Sequence, residues 1–129
     1  MFYLSVEEIT AINQVVIEES GGSIGLREPG LLDSIVQKPL SGFGDHESYP
    51  GIFLKAAVTY EAIVNYHVFI DGNKRTGFAS MARFLAMNGY ELEVTDKEIE
   101  DYTIVIATTK TDLADIAAWI KKHTKKVLS

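Results

Sequence analysis

Apolar positions recur every three or four residues along most of the chain, and the residues between these runs set where elements start and stop. Ser5 followed by Glu8 forms a capping-box pattern, after which Ile9, Ile12, Val16 and Ile17 mark one face of a first helix that Gly21-Gly22 stops. Glu28-Pro29 opens a short second helix with Leu31, Leu32, Ile35 and Val36 as its apolar face, ended by Pro39. From Pro39 to Tyr49 no period is sustained among the glycines, and the segment reads as an ordered or partly mobile loop. Phe53, Ala57, Tyr60 and Val64 predict a third helix from near Pro50 into Tyr66.

The stretch from Asn73 to Asn88 contains no proline and ends at Gly89. Phe78, Met81, Ala82 and Leu85 lie on one side of it and Phe84 and Met87 on another, so a helix of about 24 Å, apolar almost all round, belongs at the centre of the fold. Thr95 with Glu98 repeats the capping box, yet Tyr102 to Ile106 is rich in branched and aromatic residues that suit a strand; the segment is read as helix. Thr111 and Asp112 begin a last amphipathic helix through Leu113, Ile116, Ala117 and Ile120, and the KKHTKK run reads as a solvated, fraying end. The expected fold class is all-α: a bundle of about six helices around a central helix, one domain over residues 1–129. At most two short strands are expected, at Phe2 to Leu4 and Tyr90 to Val94. No internal repeat, linker or low-complexity segment interrupts it.

Composition narrows the functional classes. A chain of 129 residues, 47% hydrophobic, can bury a core without covalent staples. It has no cysteine, which removes disulfide and thiolate chemistry. Its formal charge of −6 repels a phosphate backbone at long range, so nucleic acid is not expected as the main partner. MFYLSVEEIT has acidic residues where a secretory signal needs a basic start and an apolar run, and no stretch approaches the ~18 apolar residues of a membrane span. The expectation is a cytoplasmic protein without a membrane partner. His46 and His123 lack ligand spacing with each other or with His67, and read as surface residues rather than a zinc site.

Polar residues concentrate in one passage, His67-Val68-Phe69-Ile70-Asp71-Gly72-Asn73-Lys74-Arg75-Thr76, where a loop hands over to the central helix. Free N–H groups at a helix amino end and the positive end of its dipole attract an anion, and Gly72 lets a phosphate approach the backbone. Lys74 and Arg75 add positive charge in an otherwise acidic protein, and Thr76 belongs to the same phosphate-binding set. Asp71 is an oxygen ligand beside that site, as Mg²⁺ held mainly through nucleotide phosphates requires. His67 is the side-chain type best suited to removal of a proton from an attacking hydroxyl near neutral pH. Phe69 and Ile70 are expected to anchor the loop against the core. Taken singly, such a histidine is more often structural, and an isolated Asp-Gly-Asn is more often a helix cap and turn.

The passage resembles the Fic/Doc signature His-x-Phe-x-Asp/Glu-Gly-Asn-x-Arg at His67, Phe69, Asp71, Gly72, Asn73 and Arg75. GGSIGLREPGLLDSIVQKP and FLAMNGYELE are similar to Doc (death on curing) type sequences, extending the resemblance over roughly Leu4 to Glu93. Adenylylating members resemble His-Pro-Phe-x-Asp/Glu-Gly-Asn-Gly-Arg-x-x-Arg, whereas Val68, Lys74 and Phe78 replace the proline, the second glycine and the last arginine. Doc-type members share the lysine. The resemblance therefore implies a Fic-type helical fold and protein kinase activity, with ATP held in a reversed sense. The implied target is a threonine hydroxyl of translation elongation factor Tu, whose modification blocks translation.

By the same resemblance His67 activates the hydroxyl, Asp71 holds Mg²⁺, Gly72 and Asn73 shape the anion loop, and Lys74 and Arg75 neutralise phosphoryl charge. Family members often carry an inhibitory Ser/Thr-x-x-x-Glu-Gly/Asn motif, but no Glu here precedes Gly or Asn. Restraint is therefore expected from a separate antitoxin with a Phd-like helical segment that docks in a groove. Two other readings stand beside the kinase: Fic-type transfer of AMP, and a catalytically silent binding module. The presence of every expected catalytic side chain argues against the silent module.

Overall fold

The computed structural model describes residues 1–127. Helices α1 (Val6–Ser20), α2 (Pro29–Gln37), α3 (Ile52–Tyr66), α4 (Asn73–Met87), α5 (Asp96–Thr108) and α6 (Leu113–Lys122) carry the fold, with a 3-10 turn at Lys38–Leu40. The capping boxes form as the sequence predicts. Ser5 Oγ accepts from the Glu8 amide and Glu8 Oε1 from the Ser5 amide, both at 3.1 Å, and Thr95 and Glu98 repeat the arrangement before α5. Tyr102–Ile106 is helical, since Thr103 and Ile106 face the core within α5. The mostly helical class is as expected, but the most enclosed helix is α3, with ten buried residues against six in α4; Lys74, Arg75, Arg83 and Ala86 are exposed, so α4 is not apolar all round. Among the described residues no helix is long and apolar enough to cross a membrane.

The strands depart from expectation. Among the described residues four short ones pair in two antiparallel two-stranded sheets, β1 (Gly42–Phe43) with β2 (His46–Glu47) in a hairpin and β3 (Tyr90–Leu92), which falls within the expected Tyr90 to Val94, with β4 (Thr124–Lys126) across α5 and α6. Phe2 to Leu4 is not a strand: the Phe2 amide donates to Asn88 Oδ1 at 2.8 Å and Asn88 Nδ2 donates to the Phe2 carbonyl at 2.9 Å. One side chain thus satisfies the backbone that a ladder would otherwise have held. The segment read as a loop before Tyr49 contains the 3-10 turn and the first hairpin, fastened by Lys55. That lysine is buried on α3 and donates to Glu47 at 2.8 Å and to the Tyr49 carbonyl.

The basic end also differs, because Thr124–Lys126 pairs with Tyr90–Leu92 in register Tyr90 to Lys126 and Leu92 to Thr124. His123 is half-buried rather than fully exposed. Its ring stacks on Trp119 at 4.2 Å, and Trp119 stacks in turn on Tyr102 of α5 at 4.2 Å.

The core is a continuous cluster in which α3 is enclosed: Ala56, Ala57, Tyr60, Ala62 and Ile63 are fully buried. The Tyr60 hydroxyl bonds Thr103 of α5, and burial pushes its phenol up to about 12. Against α3 lies α4, and the tightest point between them is Gly77. A Cβ there would come to 2.7 Å from Val64 Cγ2 and 3.3 Å from the Tyr60 carbonyl oxygen. Two helix backbones can approach this closely only where a side chain is absent, and the approach fixes how the intervening loop leaves α3 and enters α4. Gly77→Ala should therefore destabilise the protein by about 1–3 kcal/mol through overpacking, despite alanine's better helix propensity. Chemical denaturation measures it, and an unchanged or raised midpoint would contradict the close approach.

Candidate active site

The loop between α3 and α4 is held by backbone bonds from three directions. Val68 and Phe69 are buried, and the Val68 carbonyl accepts from the Arg27 amide at 2.7 Å and the Glu28 amide at 3.0 Å. The Ile70 amide donates to the Gly25 carbonyl at 3.0 Å. Asn73, the first residue of α4, reaches back with both side-chain atoms: Oδ1 accepts from the Phe69 amide at 3.0 Å and Nδ2 donates to the Phe69 carbonyl at 2.9 Å. With Val68 and Phe69 turned in, the loop leaves His67, Ile70, Asp71, Lys74 and Arg75 exposed.

His67 follows the last residue of α3 with φ 52° and ψ 46°. Among the described residues it is the one non-glycine with positive φ. That conformation ends a helix sharply and is normally given to glycine, because a Cβ crowds the backbone there. An exposed histidine held in it, where glycine would fit better, is the kind of strained position that occurs at functional sites.

Asp71 and Gly72 are fixed from α1. Asn13, 1% exposed in the middle of that helix, donates through Nδ2 to the Asp71 carbonyl at 2.9 Å and to Thr76 Oγ1 at 3.1 Å. The Asp71 carboxylate is oriented separately, its Oδ2 accepting from the Ser23 amide at 2.8 Å. Gly22 lies against it, where a Cβ would come to 3.1 Å from Asp71 Cβ. Gly72 has φ 78° and ψ 17°, and a Cβ on it would meet Ile17 at 3.0 Å and Val16 at 3.2 Å. Glycine is required here by α1, whereas the sequence reading ascribed it to the approach of a phosphate.

No side chain caps the amino end of α4, whose first internal bond runs from the Thr76 amide to the Gly72 carbonyl at 2.8 Å. The amides ahead of it face outward with the helix dipole behind them. Lys74 and Arg75 are exposed beside this end, and neither takes part in a salt bridge among the described residues. Both also line a groove of about 580 Å³ between α1, α4 and α5, whose apolar walls include Val16, Phe78, Ile99 and Ile104. His67 and Asp71 do not line it.

The structure thus gathers His67, Asp71, Gly72, Asn73, Lys74 and Arg75 on one loop and helix end. Thr76 departs from the expected phosphate-binding set: it is fully buried, and its hydroxyl is engaged by Asn13 instead of facing a ligand. Ile70 is 52% exposed, so Val68 and Phe69 do the anchoring that Phe69 and Ile70 were expected to share. Among the described residues no three His, Cys, Asp or Glu side chains gather to hold a metal ion. Asp71 can supply one carboxylate oxygen, which fits Mg²⁺ carried mainly by phosphate oxygens and water. Asn13, Gly22 and Ser23 were missed in the sequence. Asn13 did leave a signal, as a polar residue on the stripe of Ile9, Val16 and Ile17.

Residues 3–85 match the Fic/DOC family. The chain is 34% identical over 119 residues to the protein named Toxin Doc of Mycolicibacterium smegmatis, spanning 90% of this chain and 88% of that one. It is 28% identical over 122 residues to the protein named Protein kinase doc of Escherichia phage P1, spanning 95% of both.

The backbone at His67 has a measurable consequence. His67→Gly should raise stability by about 0.5–1 kcal/mol, since glycine relieves the left-handed strain and little side-chain packing is lost at an exposed position. His67→Ala, which keeps a Cβ, should gain nothing. Thermal unfolding of the two variants tests the difference, and equal midpoints would mean that the strain is absent.

Proposed function

The chain belongs to the Fic/DOC family, and we propose that it is a Doc-type toxin that transfers the γ-phosphoryl group of ATP to a serine or threonine hydroxyl of a target protein. The observation that carries this reading is the uncapped amino end of α4 with two cations beside it that form no salt bridge among the described residues, adjoining an exposed histidine held in a strained backbone. Transfer of a phosphoryl group asks a protein mainly for positioning and charge stabilisation, and this arrangement supplies both. The names of the two relatives, a toxin and a protein kinase, support the same reading. A threonine of elongation factor Tu is the target that the resemblance favours, with arrest of translation as the result.

His67 takes the proton of the target hydroxyl on an imidazole nitrogen as the oxygen forms its bond to the γ-phosphorus. The bond from that phosphorus to the β–γ bridging oxygen breaks, and ADP leaves with the electron pair. Lys74, Arg75 and the leading amides of α4 offset charge on the phosphate oxygens. Asp71, with Oδ2 already engaged by Ser23, would hold Mg²⁺ through its other oxygen. When bound, the ion would supply positive charge that lowers the repulsion between the phosphate group and the incoming hydroxyl. Lys74 in place of glycine and Phe78 in place of a terminal arginine favour phosphoryl over AMP transfer, because they change which phosphates can be held.

Restraint by a separate antitoxin follows from the absence of an inhibitory Glu-Gly or Glu-Asn pair. The groove between α1, α4 and α5 suits an amphipathic helical segment, whose apolar side would meet Phe78, Ile99 and Ile104 while its end reaches Lys74 and Arg75.

Incubation with bacterial lysate and ATP labelled at the γ or the α position tests the reaction. Label should move from the γ position alone, with the modified protein heavier by one phosphoryl group. His67→Ala should lower the rate by about 100- to 10,000-fold. Transfer of α label alone would establish AMP transfer instead, and growth arrest that survives His67→Ala would favour a binding module.

A further inference from the structure

The Asp71 carboxylate and backbone are both held by groups far away in sequence. Asn13 reaches Asp71 across 58 residues and Thr76 across 63, and the Ser23 amide reaches the carboxylate across 48. All three contacts come from α1 and its exit turn. Asn13 is 1% exposed, its bond to Thr76 is buried, and a Cβ on Gly72 would come to 3.3 Å from its Nδ2. A buried amide that satisfies a carbonyl before the turn and a hydroxyl after it fixes the pitch of residues 71–76 as one unit. Ser23 then occupies one carboxylate oxygen, Oδ2, and leaves Oδ1 outside that bond.

We propose that Asn13, with the Ser23 amide, is a positioning residue of the phosphotransfer site: it aims the Asp71 carboxylate and the amino end of α4 at the same magnesium–phosphate group. The assignment rests on the reading of Asp71 as the magnesium-holding residue. Supporting groups of this kind commonly change metal affinity by 10- to 100-fold when removed. Asn13 bonds Asp71 and Thr76 and not His67, so its loss should weaken binding of magnesium nucleotide far more than it alters the His67-dependent step.

Calorimetric titration of the intact protein with the β,γ-imido analogue of ATP, at a series of Mg²⁺ concentrations, provides the test. Hydrogen exchange of the amides of residues 71–76 provides a second readout that does not depend on turnover. Asn13→Leu, which fills the space without donating, and Ser23→Pro, which removes the amide donor in an exposed turn, should each weaken binding by about 10- to 100-fold. Asn13→Leu should also speed exchange at 71–76. A merely structural role would lower the unfolding temperature and leave the affinity of the folded fraction unchanged, and that result overturns the proposal. If Asn13→Leu does not fold, Ser23→Pro decides on the same terms. Failure of the wild-type protein to bind the magnesium analogue would overturn the reading of Asp71 itself, and is distinguishable because no variant is involved.

Discussion

Helices α3 and α4 approach so closely at Gly77 that one added methyl group would meet Val64 and the carbonyl of Tyr60. Everything at the site follows from that approach. It sets the end of α3 and the start of α4 close together, so that residues 67–72 must turn within a short span. A turn that tight forces His67 into the left-handed region and Gly72 into another positive-φ position. The chain meets these demands with glycine where α1 presses on the turn, and with an exposed histidine at the end of α3.

Helix α1 acts as the second support. Its capping box and apolar stripe place Asn13, Val16 and Ile17 against the turn, and its exit segment lays Ser23 beside Asp71 and Gly25 beside Ile70. The loop is thus clamped between a helix pair that defines its ends and a third helix that defines its middle. Rigidity of this kind matters for phosphoryl transfer, because little covalent work falls to the protein and small errors in placement are expensive in rate. In a chain of acidic balance, Lys74 and Arg75 are cations that form no salt bridge among the described residues, although Glu19, Asp96 and Glu100 line the same groove.

Beyond the site, short-range signals and long-range pairings fared differently. Both capping boxes formed, and the strand-like Tyr102–Ile106 became helix because Thr95 and Glu98 start α5 and Thr103 and Ile106 meet the core. The pairing of β4 with β3 could not be read in KKHTKK, since a run of lysines looks solvated until Tyr90–Leu92 is brought beside it. Nor could the hairpin at residues 42–47, which depends on a lysine buried within an otherwise apolar helix.

The sequence by itself determined the helical class, the ends of most helices and the identity of the reactive passage. Each of these rests on residues within a few positions of one another, where spacing and chemistry are visible together. Tertiary structure alone decided the strain at His67, the inward turn of Thr76, and the reason that position 72 must be glycine. It also decided that Asn13 and Ser23 hold Asp71. Those facts depend on contacts across 48 to 63 residues and on how closely two helices can pack. A linear pattern carries no record of which distant backbone will arrive beside a given side chain.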